Sequence, residues 1–149
     1  MVDRTAAVAA LATGRLGHTI KRAEQALIAR KTQVLREFDL TVPQYSVLLL
    51  LSVSDGMSAA QLARESMVTP QTMATVLANL EKVGLVVREP SELHQKVVVN
   101  RITRAGRNLL KKADKAALQV EGALSGQFTE KELARFEEFL ERAIDLLGK

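Results

Sequence analysis

The chain has 149 residues, enough for one domain of ordinary size and too few for two large ones. It has no cysteine and only two histidines, which excludes disulfides, thiolate metal sites, a cysteine nucleophile and a metal centre built from histidine alone. The net charge of +4 is unevenly spread: residues 58–112 carry nine basic and four acidic side chains, whereas residues 113–149 carry five and eight. A basic middle segment fits an anionic partner, and it equally fits a solvated charged surface. With 47% hydrophobic residues and 3% aromatics, the chain is suited to aliphatic helical stripes rather than β-sandwiches.

Taken in chain order, residues 5–38 read as one long helix. Leu16, Ile20, Ala23, Leu27, Val34 and Phe38 recur at three-to-four-residue steps, and so long a stripe needs a partner helix. Thr41 and Gln44 have capping-box spacing and open a second helix running to about Val53. Its block Leu48–Leu51 implies burial on most sides. Asp55-Gly56 marks a turn. Ser58 and Gln61 form a second capping box, opening a short helix through Glu65. Thr69-Pro70 restarts a helix whose buried face is Met73, Val76, Leu77 and Leu80, with Gly84 at its C-terminal end. Two β-branched runs, 86–88 and 97–99, then predict a hairpin around a loop of about eight residues. Thr103 caps a further helix, with Leu109, Ala113, Ala116, Val120 and Ala123 as its apolar face. Thr129 and Glu132 cap the last one, with Leu133, Phe136, Leu140, Ile144 and Leu147 aligned.

The order is mainly α: a helix-turn-helix with a two-stranded β wing, placed between long helices. No wholly apolar run exceeds seven residues, against the roughly 18 a membrane span needs, so no membrane partner is expected. The Ala-rich N-terminus continues as an amphipathic helix, which reads against a signal peptide and for the cytoplasm.

Ala63 is small where two helices of the unit must approach closely, and Leu62, Val68, Met73 and Val76 supply the packing between them. Alone, this pattern is shared by many helical hairpins. A longer ordered set narrows it: Pro43, Tyr45 and Leu48; Leu62-Ala63-Arg64; Val68-Thr69-Pro70-Gln71-Thr72-Met73; Leu80-Glu81-x-x-Gly84-Leu85-Val86-x-Arg88; and Ile102-Thr103-x-x-Gly106. On these motifs, strongest over residues 43–112, the chain resembles the multiple antibiotic resistance regulator (MarR) family of winged-helix transcription factors. The resemblance implies a homodimer whose terminal helices, 1–40 and 104–149, intertwine, and a DNA-binding unit over 41–103 that docks on a palindromic operator in double-stranded DNA. It also implies repression relieved by a small lipophilic or phenolic effector, bound between the first two helices and the helix after the wing.

The residues expected to meet DNA follow from helix geometry. With Met73, Val76, Leu77 and Leu80 inward, the recognition helix turns Gln71, Thr72, Thr75 and Asn79 outward. Glutamine and asparagine can bond an adenine edge, and a threonine methyl can meet thymine. That face carries no charge, so affinity must come from cations elsewhere through phosphates. Ser58 and Thr69 offer capped helix N-termini to phosphate, and Arg88, His94, Gln95 and Lys96 are the candidates on the wing. The family's wing often carries Asp-x-Arg. Here those positions hold His94 and Lys96, so no carboxylate braces the cation and no bidentate fork enters the groove. Met67 is a second departure, in a turn position that often holds glycine. His18 and Tyr45 are candidates for the effector pocket, against plainer readings as a helix-surface histidine and a core tyrosine. No cofactor and no metal ligand set is expected, and no carboxylate pair, nucleophile–base set or phosphate loop suggests an enzyme. The competing readings are a DNA binder without an effector and a helical protein-interaction module.

Overall fold

The computed structural model describes residues 3–94 and 96–148. Its elements are α1 (Arg4–Ala12), α2 (Leu16–Leu35), a 3-10 turn (Arg36–Phe38), α3 (Val42–Ser52), α4 (Ala59–Glu65), α5 (Pro70–Lys82), β1 (Val86–Pro90), β2 (Val98–Ile102), α6 (Arg104–Ser125) and α7 (Glu130–Leu147). No helix among the described residues is long and apolar enough to cross a membrane.

The first helix is not continuous as its periodicity suggests. The Thr13 hydroxyl donates to the Ala9 carbonyl at 3.1 Å, and Gly14 adopts φ +75°, a left-handed conformation that ends α1. The apolar stripe from Leu16 to Phe38 begins only beyond this break, so it gives no support for a helix running through it. Only the C-terminal end of α2 reaches the core: Leu35 is fully buried while Leu16 is 71% exposed.

The core gathers Leu35 and Leu40, then Tyr45, Val47, Leu48 and Leu51 of α3, then Leu62 and Ala63 of α4. Met73, Val76, Leu77 and Leu80 of α5 complete it with Val86, Ile102, Leu110, Ala113 and Ala117. Within the leucine block Leu49 departs from expectation and is exposed. On α6 the buried set is Gly106, Leu110, Ala113 and Ala117, rotated from the expected face. Leu109 still packs against the core, whereas Ala123 is exposed. The helix carries two adjacent aliphatic stripes, and the core takes the one that begins at Gly106.

Three helical segments end in the same way. Leu40, Val68 and Leu85 each donate a backbone N–H to the carbonyl five residues back, at 3.2, 3.0 and 2.9 Å. The residue before each, Asp39, Met67 or Gly84, is left-handed, at φ +53°, +53° and +74°. These are Schellman endings, in which glycine is the low-strain choice. Met67 thus adopts the glycine-like conformation itself, and its side chain is 92% exposed. Replacing a left-handed L-residue relieves strain but frees the unfolded chain. Met67→Gly should therefore raise stability by about 0.5–1 kcal/mol. A denaturant melt checks this, and an unchanged or lower midpoint would contradict it.

Candidate nucleic-acid interface

The α4–turn–α5 unit is built from its caps upward. The Ser58 hydroxyl accepts from the Gln61 N–H at 3.2 Å while the Gln61 side chain accepts from the Ser58 N–H at 2.9 Å. Thr69 caps α5 by accepting from the Thr72 N–H at 3.1 Å, with Pro70 in the first turn. The first turn of α5 contains no acidic residue, so its positive end faces outward uncompensated by its own sequence.

Met73, Val76, Leu77 and Leu80 are all buried, and Gln71, Thr72, Thr75 and Asn79 are all exposed. At 3.6 residues per turn the outermost strip of α5 is Gln71, Thr75, Ala78 and Lys82, with Thr72 and Asn79 on one flank. Two hydroxyls are partly committed. Thr69 donates to the Thr72 hydroxyl at 2.9 Å, and Thr75 donates to the Gln71 carbonyl at 3.3 Å. Thr75 therefore keeps its methyl group for a partner. Lys82 is a cation on this strip that the sequence pattern did not single out, because it lies in the last turn of the helix.

The wing pairs Val86 with Ile102, Val87 with Arg101, Arg88 with Asn100, Glu89 with Val99 and Pro90 with Val98. Its second strand thus lies further along the chain than the valine run implied. Asn100 explains the shift. It is 1% exposed, its backbone exchanges hydrogen bonds with Met57 at 2.8 and 3.1 Å, and its side-chain amide donates to the Met57 carbonyl at 3.0 Å. The wing root is thereby fastened to the segment before α4. Strand propensity favours the valines, but pairing follows the buried amide.

The two strand arginines have different fates. Arg101 is engaged by Glu89 at 3.3 Å and by the Asp55 carbonyl. Arg88 is exposed and, among the described residues, forms no ion pair. His94 and Lys96 are exposed on the loop 91–97, likewise without an ion pair there. Gln95 lies outside the described residues.

The base of the wing meets the end of α5 and the start of α6 in a tight clasp. Thr103 donates its N–H to the Leu85 carbonyl at 3.0 Å and its hydroxyl to the Gly84 carbonyl at 2.7 Å. The same hydroxyl accepts from the Gly106 N–H at 3.0 Å. The two separated motifs, Leu80-x-x-x-Gly84-Leu85 and Ile102-Thr103-x-x-Gly106, are the two halves of this clasp.

The two effector-pocket candidates are not brought together within one chain. Tyr45 is buried on α3, and its hydroxyl donates to Asp114 Oδ1 on α6 at 2.7 Å. Burial first, and then the Asp114 carboxylate, push this hydroxyl well above the usual tyrosine range, so it stays protonated as a donor. Lys31 of α2 pairs with Glu121 one face along. His18 is exposed in the first turn of α2, about 20 Å along that helix from Lys31. Among the described residues no cluster of histidine and carboxylate side chains could hold a metal ion.

A helix pair whose second member is capped and outward-facing, followed by a hairpin joined to its base, defines a winged helix-turn-helix. The chain belongs to the MarR family: the family model matches residues 38–96. The HTH-type transcriptional repressor Rv2887 of Mycobacterium tuberculosis is 33% identical over 127 residues, which cover 85% of this chain and 91% of that protein. The solved complex of the M. tuberculosis MarR family protein Rv2887 with DNA is similar at 32% identity, covering 87% of this chain and 98% of that one, with a TM-score of 0.69. Its complex with salicylic acid has the same identity and TM-score, covering 87% and 96%. The curated relatives are named as transcriptional repressors.

Proposed function

We propose that the protein is a homodimeric repressor that binds a palindromic operator and is released from it by a small aromatic acid. One observation carries the DNA-binding part. The exposed face of α5 is uncharged and rich in hydrogen-bonding groups, and it adjoins a wing whose Arg88 and Lys96 are uncommitted among the described residues. That division suits base reading by Gln71, Thr72, Thr75 and Asn79, with phosphate contacts from Arg88, His94, Gln95, Lys96 and the capped ends at Ser58 and Thr69. Crystallisation of a 32%-identical relative with DNA supports the same reading. The relative's complex with salicylic acid supports a ligand-responsive protein.

The homodimer follows from what one chain leaves uncovered. Neither α1 nor α7 buries a residue. Val8, Leu11, Leu16 and Ile20 at one end, and Phe136, Phe139, Leu140, Ile144 and Leu147 at the other, are exposed large apolar side chains. An apolar surface of this extent marks an interface. Residues 1–40 and 104–149 then form the dimerisation region and 41–103 the DNA-binding unit.

Operator affinity measured by fluorescence anisotropy should fall steeply with salt. Arg88 and Lys96 from both subunits give a log–log slope of at least ~3 in magnitude. Arg88→Ala or Lys96→Ala should each weaken binding by about tenfold or more and flatten the slope by about 2, one lost cation per subunit. Gln71→Ala should lower discrimination against a mismatched operator by about 1–3 kcal/mol while leaving non-specific binding nearly unchanged. A flat salt dependence on the native upstream DNA would reject the DNA reading. Equal losses on both sequences would reject base reading by Gln71.

A further inference from the structure

The C-terminal half of α5 borders a cleft of about 270 Å3, separate from the Tyr45–Asp114 contact. Its walls come from segments some forty residues apart: Asp39, Leu40 and Gln44 on one side, and Asn79, Leu80, Lys82, Val83 and Leu85 on the other. The floor is apolar, with Leu40 4% and Leu80 0% exposed. The rim carries opposite charges, and among the described residues neither Asp39 nor Lys82 forms an ion pair. Gln44 uses its Oε1 to accept from the Thr41 N–H, which leaves its amide NH2 group available. The Asn79 side chain makes no hydrogen bond among the described residues, although its backbone carbonyl is bonded to Val83.

We propose that this cleft binds a small zwitterion with an apolar body, the chemistry of an amino acid with an apolar side chain, and that its occupant competes with operator DNA. Each charge has a counterpart. The Asp39 carboxylate favours an ammonium group, and Lys82 favours a carboxylate. A ligand with one charge forfeits one of these two pairings. The volume is just under the ~300–1,000 Å3 of pockets that hold drug-sized molecules, so the occupant is small. The competition follows from position, and it rests on the reading that α5 docks on DNA. Lys82 lies on the outermost strip of α5 and Asn79 on its flank, so a bound ligand engages two groups that would otherwise face the duplex.

The test is an NMR titration of the DNA-free protein with L-phenylalanine, 3-phenylpropionate and 2-phenylethylamine. L-phenylalanine should shift the amide signals of Leu40, Val83 and Leu85 below about 10 mM, and each half-molecule should bind at least ~10-fold more weakly. Asp39→Asn, which keeps a residue suited to the left-handed conformation, and Lys82→Met should each weaken L-phenylalanine at least ~10-fold. Absence of shifts at the cleft, or equal binding of either half-molecule, would overturn the site. In a second arm, L-phenylalanine should raise the apparent dissociation constant for operator in the wild type but not in Asp39→Asn. Cleft binding with no effect on operator affinity would overturn the competition and leave the site standing. If no DNA sequence binds at all, the operator reading fails, and the titration still decides the cleft.

Discussion

Gly106→Ala should lower the thermal midpoint by about 8 °C at fixed protein concentration, from a loss of roughly 2–3 kcal/mol. A Cβ at this position would fall well inside van der Waals contact with the Leu85 carbonyl oxygen and 2.8 Å from Ile102 Cγ1. Neither neighbour can retreat cheaply. The Leu85 carbonyl accepts the Thr103 N–H, and Ile102 is part of the core. Ordinary replacement of a helical glycine by alanine is stabilising by about 0.5–1 kcal/mol, so the sign itself discriminates. A neutral or stabilising result would mean that α6 does not approach the end of α5 this closely. Because α5 is the proposed reading helix, the same variant should also lose operator affinity.

Ile144→Asp is the second large effect expected. In the single chain Ile144 is 59% exposed, so a charge there should leave an isolated subunit folded. In a dimer the same carboxylate enters an apolar seam without a partner. Sedimentation should show a monomer where the wild type is a dimer, with the helical circular dichroism largely kept. Operator affinity should fall at least ~100-fold, about 2.7 kcal/mol, because two half-sites are no longer bound together. A variant that sediments and binds as the wild type does would remove α7 from the dimer seam.

What the sequence made legible was local. The capping boxes at Thr41, Ser58 and Thr129 each specify a helix start within four residues, and all three form with both reciprocal bonds. The inward face of α5 follows from one period and is buried as expected. The failures arise where a distant partner overrides a local signal. Valine propensity placed the second wing strand too early, since nothing nearby announces that Asn100 bonds to Met57, 43 residues away. The face of α6 was misjudged because two aliphatic stripes compete and the core chooses between them. The Tyr45–Asp114 bond spans 69 residues and has no spacing signature. The cleft beside α5 is invisible for the same reason, since it joins Asp39 to Lys82 only after folding. Gly14 is a different failure: the break was written in the sequence, since the apolar stripe begins only at Leu16, beyond the glycine.

The clasp of Thr103 and Gly106 around Leu85 leaves the reading helix without a joint of its own. A tilt of α6 carries the end of α5 with it through these bonds. The 22 residues of α6 span about 33 Å, so pivoting that rod by ~5° at its far end displaces the clasp by ~3 Å. That distance is close to the ~3.4 Å separating successive bases along a strand. If α5 docks on DNA as proposed, a change of a few degrees in α6 becomes a register error of about one base pair on the operator. On the proposed reading of a ligand-released repressor, a small molecule lodged against such a lever would dislodge the protein from DNA without unfolding it.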